Sequence, residues 1–219
     1  MLAIILKDAL IESRTRETVF SLFILGVLIL LIFNFAIDVT PSNIELVAPG
    51  VLWLAIIFSS SLALGRALQI ERDNGCMDAL LLAPVDRGTI FLAKLCVNIL
   101  LLSVFELFLV PVFSFMYQID LLSVIPSLAC VVFAGTVGLA AAGTLFALAA
   151  AGTRARELML PLLVLPLQIP LLIAVVRATA LVFEGHGIGS LGAWGNLILS
   201  FDLLFVAVGW LTFESVAVE

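Results

Sequence analysis

Three ionisable residues stand inside stretches that are otherwise apolar: Glu106, Arg177 and Asp202. A charge in such a place is expensive in hydrocarbon, so it faces a partner, a cavity or the interface. A guanidinium and a carboxylate at matched depth form an ion pair, and a series of such groups can relay a proton or an ion. At about 1.5 Å of rise per residue, all three are expected in the outer half of their helices, at similar heights. The expectation is therefore that Arg177 pairs with Glu106 or Asp202. The plainer role for that pair is to hold helices together, and a transport relay is the alternative.

Other sources of chemistry are sparse. The sequence contains neither HExxH nor GxSxG. His186 follows Glu184 in a Gly-rich stretch, which is a weak ligand signal. Gly88-Thr89-Ile90-Phe91-Leu92-Ala93-Lys94 has the lysine of a P-loop but lacks its second glycine, and Leu95 replaces the Ser or Thr. The chain is expected to bind no ATP, metal or other cofactor by itself. Cys76, Cys96 and Cys130 show no CxxC spacing, and two of them fall in apolar segments, which argues against a disulfide framework.

The longest charged stretch between two apolar segments runs from Glu71 through Arg72-Asp73-Asn74-Gly75-Cys76-Met77-Asp78 and Leu80-Leu81-Leu82 to Pro84 and Arg87. It has a turn signal at Asn74-Gly75, a short run with amphipathic character and a stop at Pro84. One reading is a short helix at the membrane surface, placed to be pushed by a soluble partner. The other is an ordinary connector.

These residues need elements to hold them, and composition says which. Charged residues make up 12% of the 219, about half the share of a soluble domain. Apolar residues come in blocks long enough to cross a bilayer, which takes roughly 20 residues per helix. Continuous Leu, Ile, Val and Phe runs point to helices and not to the alternating strands of a barrel. The expected fold is an all-α membrane protein with six spans, at about 18–37, 47–67, 89–117, 122–151, 158–183 and 194–216. Residues 1–17 read as an interfacial helix, with Leu2, Leu6, Ala9, Leu10 and Ser13 along one side and Lys7, Arg14 and Glu17 on another, and the opening apolar run is too short for a signal peptide. Trp53 is expected as an aromatic anchor near the start of span two. Pro111 should kink span three, and Pro161, Pro166 and Pro170 should bend or break span five. Small residues at fourfold spacing, Ala134-Gly138-Ala142 and Gly143-Ala147-Ala151, allow close helix approach in span four, read as internal packing. Ser13–Glu17 and Thr153–Glu157 echo each other before two spans, too weakly to make a repeat.

Orientation follows from Lys and Arg. Lys7, Arg14 and Arg16, then Arg66, Arg72, Arg87 and Lys94, then Arg154 and Arg156 all lie on one side of six spans, nine of the ten basic residues. The positive-inside rule makes that side cytoplasmic, with both termini and the 71–87 stretch there.

With these features in place, the chain resembles the permease subunits of ABC-2-type exporters, through Glu71, Gly75 and Pro84 between spans two and three. More specifically it resembles the heme exporter protein B (CcmB) family. The resembling stretches are Lys7-Asp8 with Arg14-Thr15-Arg16-Glu17, Ala48-Pro49-Gly50-Val51-Leu52-Trp53, and Leu80-Leu81-Leu82-Ala83-Pro84-Val85-Asp86-Arg87. Two more are Thr153-Arg154-Ala155-Arg156-Glu157 with Leu160-Pro161-Leu162-Leu163, and Val176-Arg177-Ala178-Thr179-Ala180. The resemblance implies a single permease domain over residues 1–219 in the bacterial inner membrane, working as a homodimer. It implies a separate ABC ATPase subunit (CcmA-like) that holds ATP and Mg, and CcmC-like, CcmD-like and CcmE-like partners in cytochrome c maturation. Heme would be handled by that complex, and no nucleic acid is involved. Glu71, Gly75, Met77, Leu80, Leu81 and Pro84 would form the coupling helix that meets the ATPase, with Arg14, Arg16, Arg154 and Arg156 supporting it. The ATP-driven step would serve heme export or release of the heme-loaded CcmE-like chaperone. Two other classes fit the residues: an ion-coupled secondary transporter using Glu106, Arg177 and Asp202, and a noncatalytic scaffold of a heme-loading complex.

Overall fold

A computed structural model describes residues 17–37, 44–73, 87–121, 123–149 and 156–216, together with residue 5. Six long helices account for most of them: α1 Glu17–Ala36, α2 Ile44–Asp73, α3 Arg87–Tyr117, α4 Ile125–Ala149, α5 Arg156–Phe183 and α6 Gly192–Val216. A single 3-10 turn, Ile188–Ser190, lies between α5 and α6, and no strand occurs among the described residues. Each helix contains a window long and apolar enough to cross a bilayer. Helices are the solution because the hydrocarbon offers no partner for backbone N–H and C=O groups. The chain is a multi-pass membrane protein. The six helices fall close to the six expected spans. The main difference is α2, which begins at Ile44, before Pro49, and runs on to Asp73. Glu71, Arg72 and Asp73 thus continue a spanning helix. Of the expected interfacial helix at 1–17 only residues 5 and 17 are described, Glu17 as the first residue of α1, and the segment 74–86 lies outside the described residues.

Cross-helix hydrogen bonds fix which ends meet. The Tyr117 hydroxyl, at the end of α3, donates to the Leu30 carbonyl near the end of α1, at 3.1 Å. Trp53, near the start of α2, meets Thr179, near the end of α5. The helices therefore alternate in direction, and the end of α2, the start of α3 and the start of α5 share the opposite side.

α4 sits at the centre and touches α2, α3, α5 and α6. Its small residues make that possible. A Cβ at Gly135 would run into the ring of Trp53, and one at Gly143 would run into Leu64 of α2. Ala140, Ala141, Ala142 and Ala147 are wholly buried. Of the small residues at fourfold spacing, Gly138, Ala142, Gly143 and Ala147 pack within the chain, and Ala151 lies outside the described residues.

Two expectations change. Trp53 is no interfacial anchor: it is 0% exposed, and its indole N–H donates to Thr179 Oγ1 at 2.8 Å. The prolines do not break α5, which is continuous from Arg156 to Phe183. Neighbouring helices can compensate the donor that a proline removes. α3 likewise continues through Pro111.

The connections after α3 and α5, at the end called outer from the charge distribution, are tight. Gln118 adopts φ +53° after α3, and the Ser114 hydroxyl donates to the Ile119 carbonyl at 2.7 Å. Pro126, one residue into α4, has a fixed φ suited to a first turn. α5 ends on Gly185 at φ +84°, with His186 N–H bonded to Leu181 O and Gly185 N–H to Val182 O. That pair of bonds is the Schellman motif, which uses the left-handed freedom of glycine.

Candidate functional site

Several of the buried polar side chains among the described residues meet α4. On α3, Lys94, Asn98 and Glu106 fall on one row of fourfold spacing, and all three are buried. Residues four apart share a helix face, so the row presents a polar stripe to one neighbour. On α4, Thr136 and Thr144 answer it, eight residues apart as are Glu106 and Asn98. Asn98 Nδ2 donates to Thr144 Oγ1 at 2.7 Å. Thr136 Oγ1 lies 2.6 and 2.7 Å from the two oxygens of Glu106 and 2.8 Å from the carbonyl of Val132. Sequence reading singled out Glu106 but missed Asn98, Thr136 and Thr144. The signal available was the fourfold row of polar residues inside an apolar span.

Asp202 approaches α4 from another side. A Cβ at Gly138 would come within 2.5 Å of its Oδ1, which is buried and accepts no hydrogen bond. Gln168 of α5 reaches the Leu139 carbonyl through Nε2 at 3.4 Å, while its Oε1 has no partner. Ser59 Oγ on α2 is a third buried atom without a partner.

The expected ion pair is not formed. Among the described residues no ion pair joins Arg177 to Glu106 or Asp202. Depth explains part of this. Glu106 lies about 16 Å from the outer end of α3, and Asp202 about 15 Å from that of α6, near the middle of the spans. Arg177, exposed on α5, is only about 9 Å from its outer end, within reach of the interface for a long side chain. Glu106 and Asp202 are themselves kept apart. They meet α4 at Thr136 and Gly138, two positions that point to different faces of one helix. The three charges make no contiguous relay.

Glu106 also lines a groove. A cavity of about 380 Å³ opens between the outer halves of α3 and α4, bounded by Ser103, Glu106, Pro111, Leu128, Ala129 and Phe133 among others. In the outer loop, His186 Nε2 stands 3.6 Å from Glu184 Oε2, both about half exposed. Among the described residues no cluster of three metal-ligating side chains occurs.

The residues expected to meet an ATPase mostly escape description. Gly75, Met77, Leu80, Leu81 and Pro84 lie outside the described residues, as do Arg14, Arg16 and Arg154. Glu71 belongs to the end of α2, and Arg156 is the first residue of α5. Those two ends lie on the same side as the start of α3.

A family model described as CcmB protein matches residues 1–218. This chain belongs to the CcmB family. Relatives agree along most of its length. It is 27% identical to heme exporter protein B of Bradyrhizobium diazoefficiens over 188 residues, covering 86% of this chain and 82% of the relative. It is 25% identical to heme exporter protein B of Paracoccus denitrificans over 173 residues, 79% of each chain. The protein of the same name from Haemophilus influenzae is 26% identical over 172 residues, 78% of this chain and 77% of the relative. In this member of the CcmB family, the buried polar row of α3 belongs to the helix that begins where the 74–86 segment ends.

Proposed function

We propose that this chain is the permease subunit of an ABC-2-type transporter acting in heme export for cytochrome c maturation. The observation that carries the reading is the CcmB family match over residues 1–218, joined to a six-helix membrane fold. In this reading the chain is not an enzyme. ATP and Mg sit on a separate CcmA-like ATPase in the cytoplasm, and the chain lies in the bacterial inner membrane as a homodimer with CcmC-like and CcmD-like partners. The segment 74–86 is the coupling helix, with Glu71 leading into it and Arg14, Arg16, Arg154 and Arg156 nearby. Force enters α3 at Arg87 and passes to α4 across the polar row. The stroke either moves heme or releases a CcmE-like heme chaperone. A docked partner shifts the membrane helices only by binding their two arrangements with different affinity.

A proline or a charge at Leu80 or Leu81 tests this. The expected result is loss of ATPase co-purification and of cytochrome c maturation, with membrane insertion intact. Retention of both would reject the coupling role.

A further inference from the structure

We propose that the outer end of α5 binds a phospholipid of the outer leaflet, with Arg177 on its phosphate and Glu184 on a primary ammonium at the end of its headgroup. The inference rests on the membrane fold and stands apart from heme export. It starts from a cation without a counter-charge. Arg177 is exposed on α5, and its side chain makes neither a hydrogen bond nor an ion pair among the described residues. The face below it is apolar: Ile169 and Ile173, on the two preceding turns, are 50% and 49% exposed. A guanidinium left bare among such residues is costly, so an anion must come from outside the chain. Depth says which anion. The Arg177 Cα lies about 9 Å below the outer end of α5, and a long side chain spans much of that distance. Lipid phosphates already stand at the interface. A carboxylate on a neighbouring helix would itself have to be carried below the surface, at a second cost. The planar guanidinium also matches two phosphate oxygens at once.

The same face continues upward to a carboxylate. Seven residues bring a helix back to almost the same side, so Glu184 stands above Arg177, roughly 10.5 Å along the axis. The helical register holds to that point, because Glu184 N–H still bonds to the Ala180 carbonyl at 3.0 Å. Ala180, between the two, is small and leaves room for a headgroup. Glu184 is about half exposed, and its Oε2 stands 3.6 Å from His186 Nε2, beyond hydrogen-bond length. The carboxylate is therefore open to an outside donor. Read outward, this face offers apolar side chains, then a cation, then an anion. A phospholipid with a terminal primary ammonium has the matching order of acyl chain, phosphate and ammonium, the last two joined by a two-carbon link. A headgroup ending in hydroxyls brings no positive charge to Glu184. A quaternary ammonium brings the charge without an N–H. The order of preference is thus ethanolamine, choline, glycerol.

The test uses the full chain in detergent micelles and native mass spectrometry, with phosphatidylethanolamine, phosphatidylcholine and phosphatidylglycerol of identical acyl chains added in turn. The first ethanolamine lipid should bind about fivefold more tightly than the glycerol lipid, the upper worth of an exposed ion pair, with choline between them. Glu184→Gln should bring ethanolamine and glycerol close to level. Arg177→Gln should weaken all three by about fivefold, and Arg177→Lys, which keeps the charge, should recover most of that loss. Both positions are exposed, so neither change disturbs the core. A glycerol lipid bound as tightly as the ethanolamine lipid by the wild-type chain would overturn the proposal. So would a preference that survives Glu184→Gln, or binding that Arg177→Gln leaves unchanged. Displacement of the lipid by excess inorganic phosphate would assign the site to a free anion instead. A dimer mass that vanishes with Arg177→Gln, with lipid binding unchanged, would assign Arg177 to a second copy of the chain.

Discussion

Replacing Trp53 with Phe, Gly135 with Ala, and both together probes the contact where α2, α4 and α5 meet. Trp53 Nε1 donates to Thr179 at 2.8 Å, and its distal ring atoms occupy the space where a Gly135 Cβ would stand. Trp53→Phe removes the hydrogen bond, worth about 0.6 and at most about 1.7 kcal/mol between membrane helices. It also leaves a void of a few tens of Å³, which at about 24 cal/mol per Å³ adds up to roughly 1 kcal/mol. Gly135→Ala alone forces the new methyl against the indole, an overpacking cost of about 1–3 kcal/mol. A gain of up to about 1 kcal/mol in helix propensity partly offsets it. Trp53→Phe should then destabilise by about 1.6–2.7 kcal/mol and Gly135→Ala by up to about 3 kcal/mol. The double variant should fall well short of their sum, because Phe vacates the atoms that the methyl strikes. It does not return to zero, since Val175 Cγ1 would still stand 2.9 Å from the Cβ. We expect a coupling of about 1–2 kcal/mol in the direction of mutual relief. Equilibrium unfolding of the purified chain in mixed micelles measures it. Additivity within about 0.5 kcal/mol would refute this account of the crossing.

Two further predictions concern polar residues. Asn98→Ala and Thr144→Ala should each weaken the chain, and the double-mutant cycle should return a coupling of about 0.6–1.7 kcal/mol in the same unfolding assay; a cycle that closes to zero would mean that the 2.7 Å contact does not hold α3 to α4. Arg177→Gln should change stability less than Asn98→Ala does, and adding Glu106→Gln or Asp202→Asn should neither rescue nor worsen it beyond the sum, because no ion pair joins them.

The spans were legible because each needs only a long apolar run, a property that single residues cannot undo. Trp53 shows where that legibility stops. Its place near the start of an apolar run fits an interfacial ring, and nothing local reveals that its N–H meets Thr179, 126 positions away. The Arg177 pairing failed for a related reason. Heights counted from span starts put three charges at one level, but neither the neighbours nor the intervening α4 can be counted along the chain. Of the bend or break expected at the prolines of α5, the break does not occur, because the helix is continuous from Arg156 to Phe183 and tertiary packing can override the local rule. Gly138 was read correctly as a packing residue, yet the unpartnered Asp202 oxygen facing it was invisible.

The two polar rungs between α3 and α4 also set their register. In an antiparallel pair the numbers of facing residues have a constant sum, and Glu106 with Thr136 and Asn98 with Thr144 share one. Midway between the rungs stand Leu102 and Ala140, both 0% exposed. A slip of one turn would set Glu106 against Ala140 or Val132, and Asn98 against Leu148 or Ala140. Every one of these is apolar, so a slip in either direction strands both polar side chains at once. The rungs are about 12 Å apart along the axis, too far for one side chain to compensate the other. Leucines alone would leave the register to side-chain shape, with no polar group to strand. Under the proposed coupling, a push at the start of α3 would therefore not be absorbed as sliding along α4. It would move α3 and α4 together, and the rearrangement would fall where α4 meets its other neighbours, the side on which Asp202 and Gln168 each keep an oxygen without a partner.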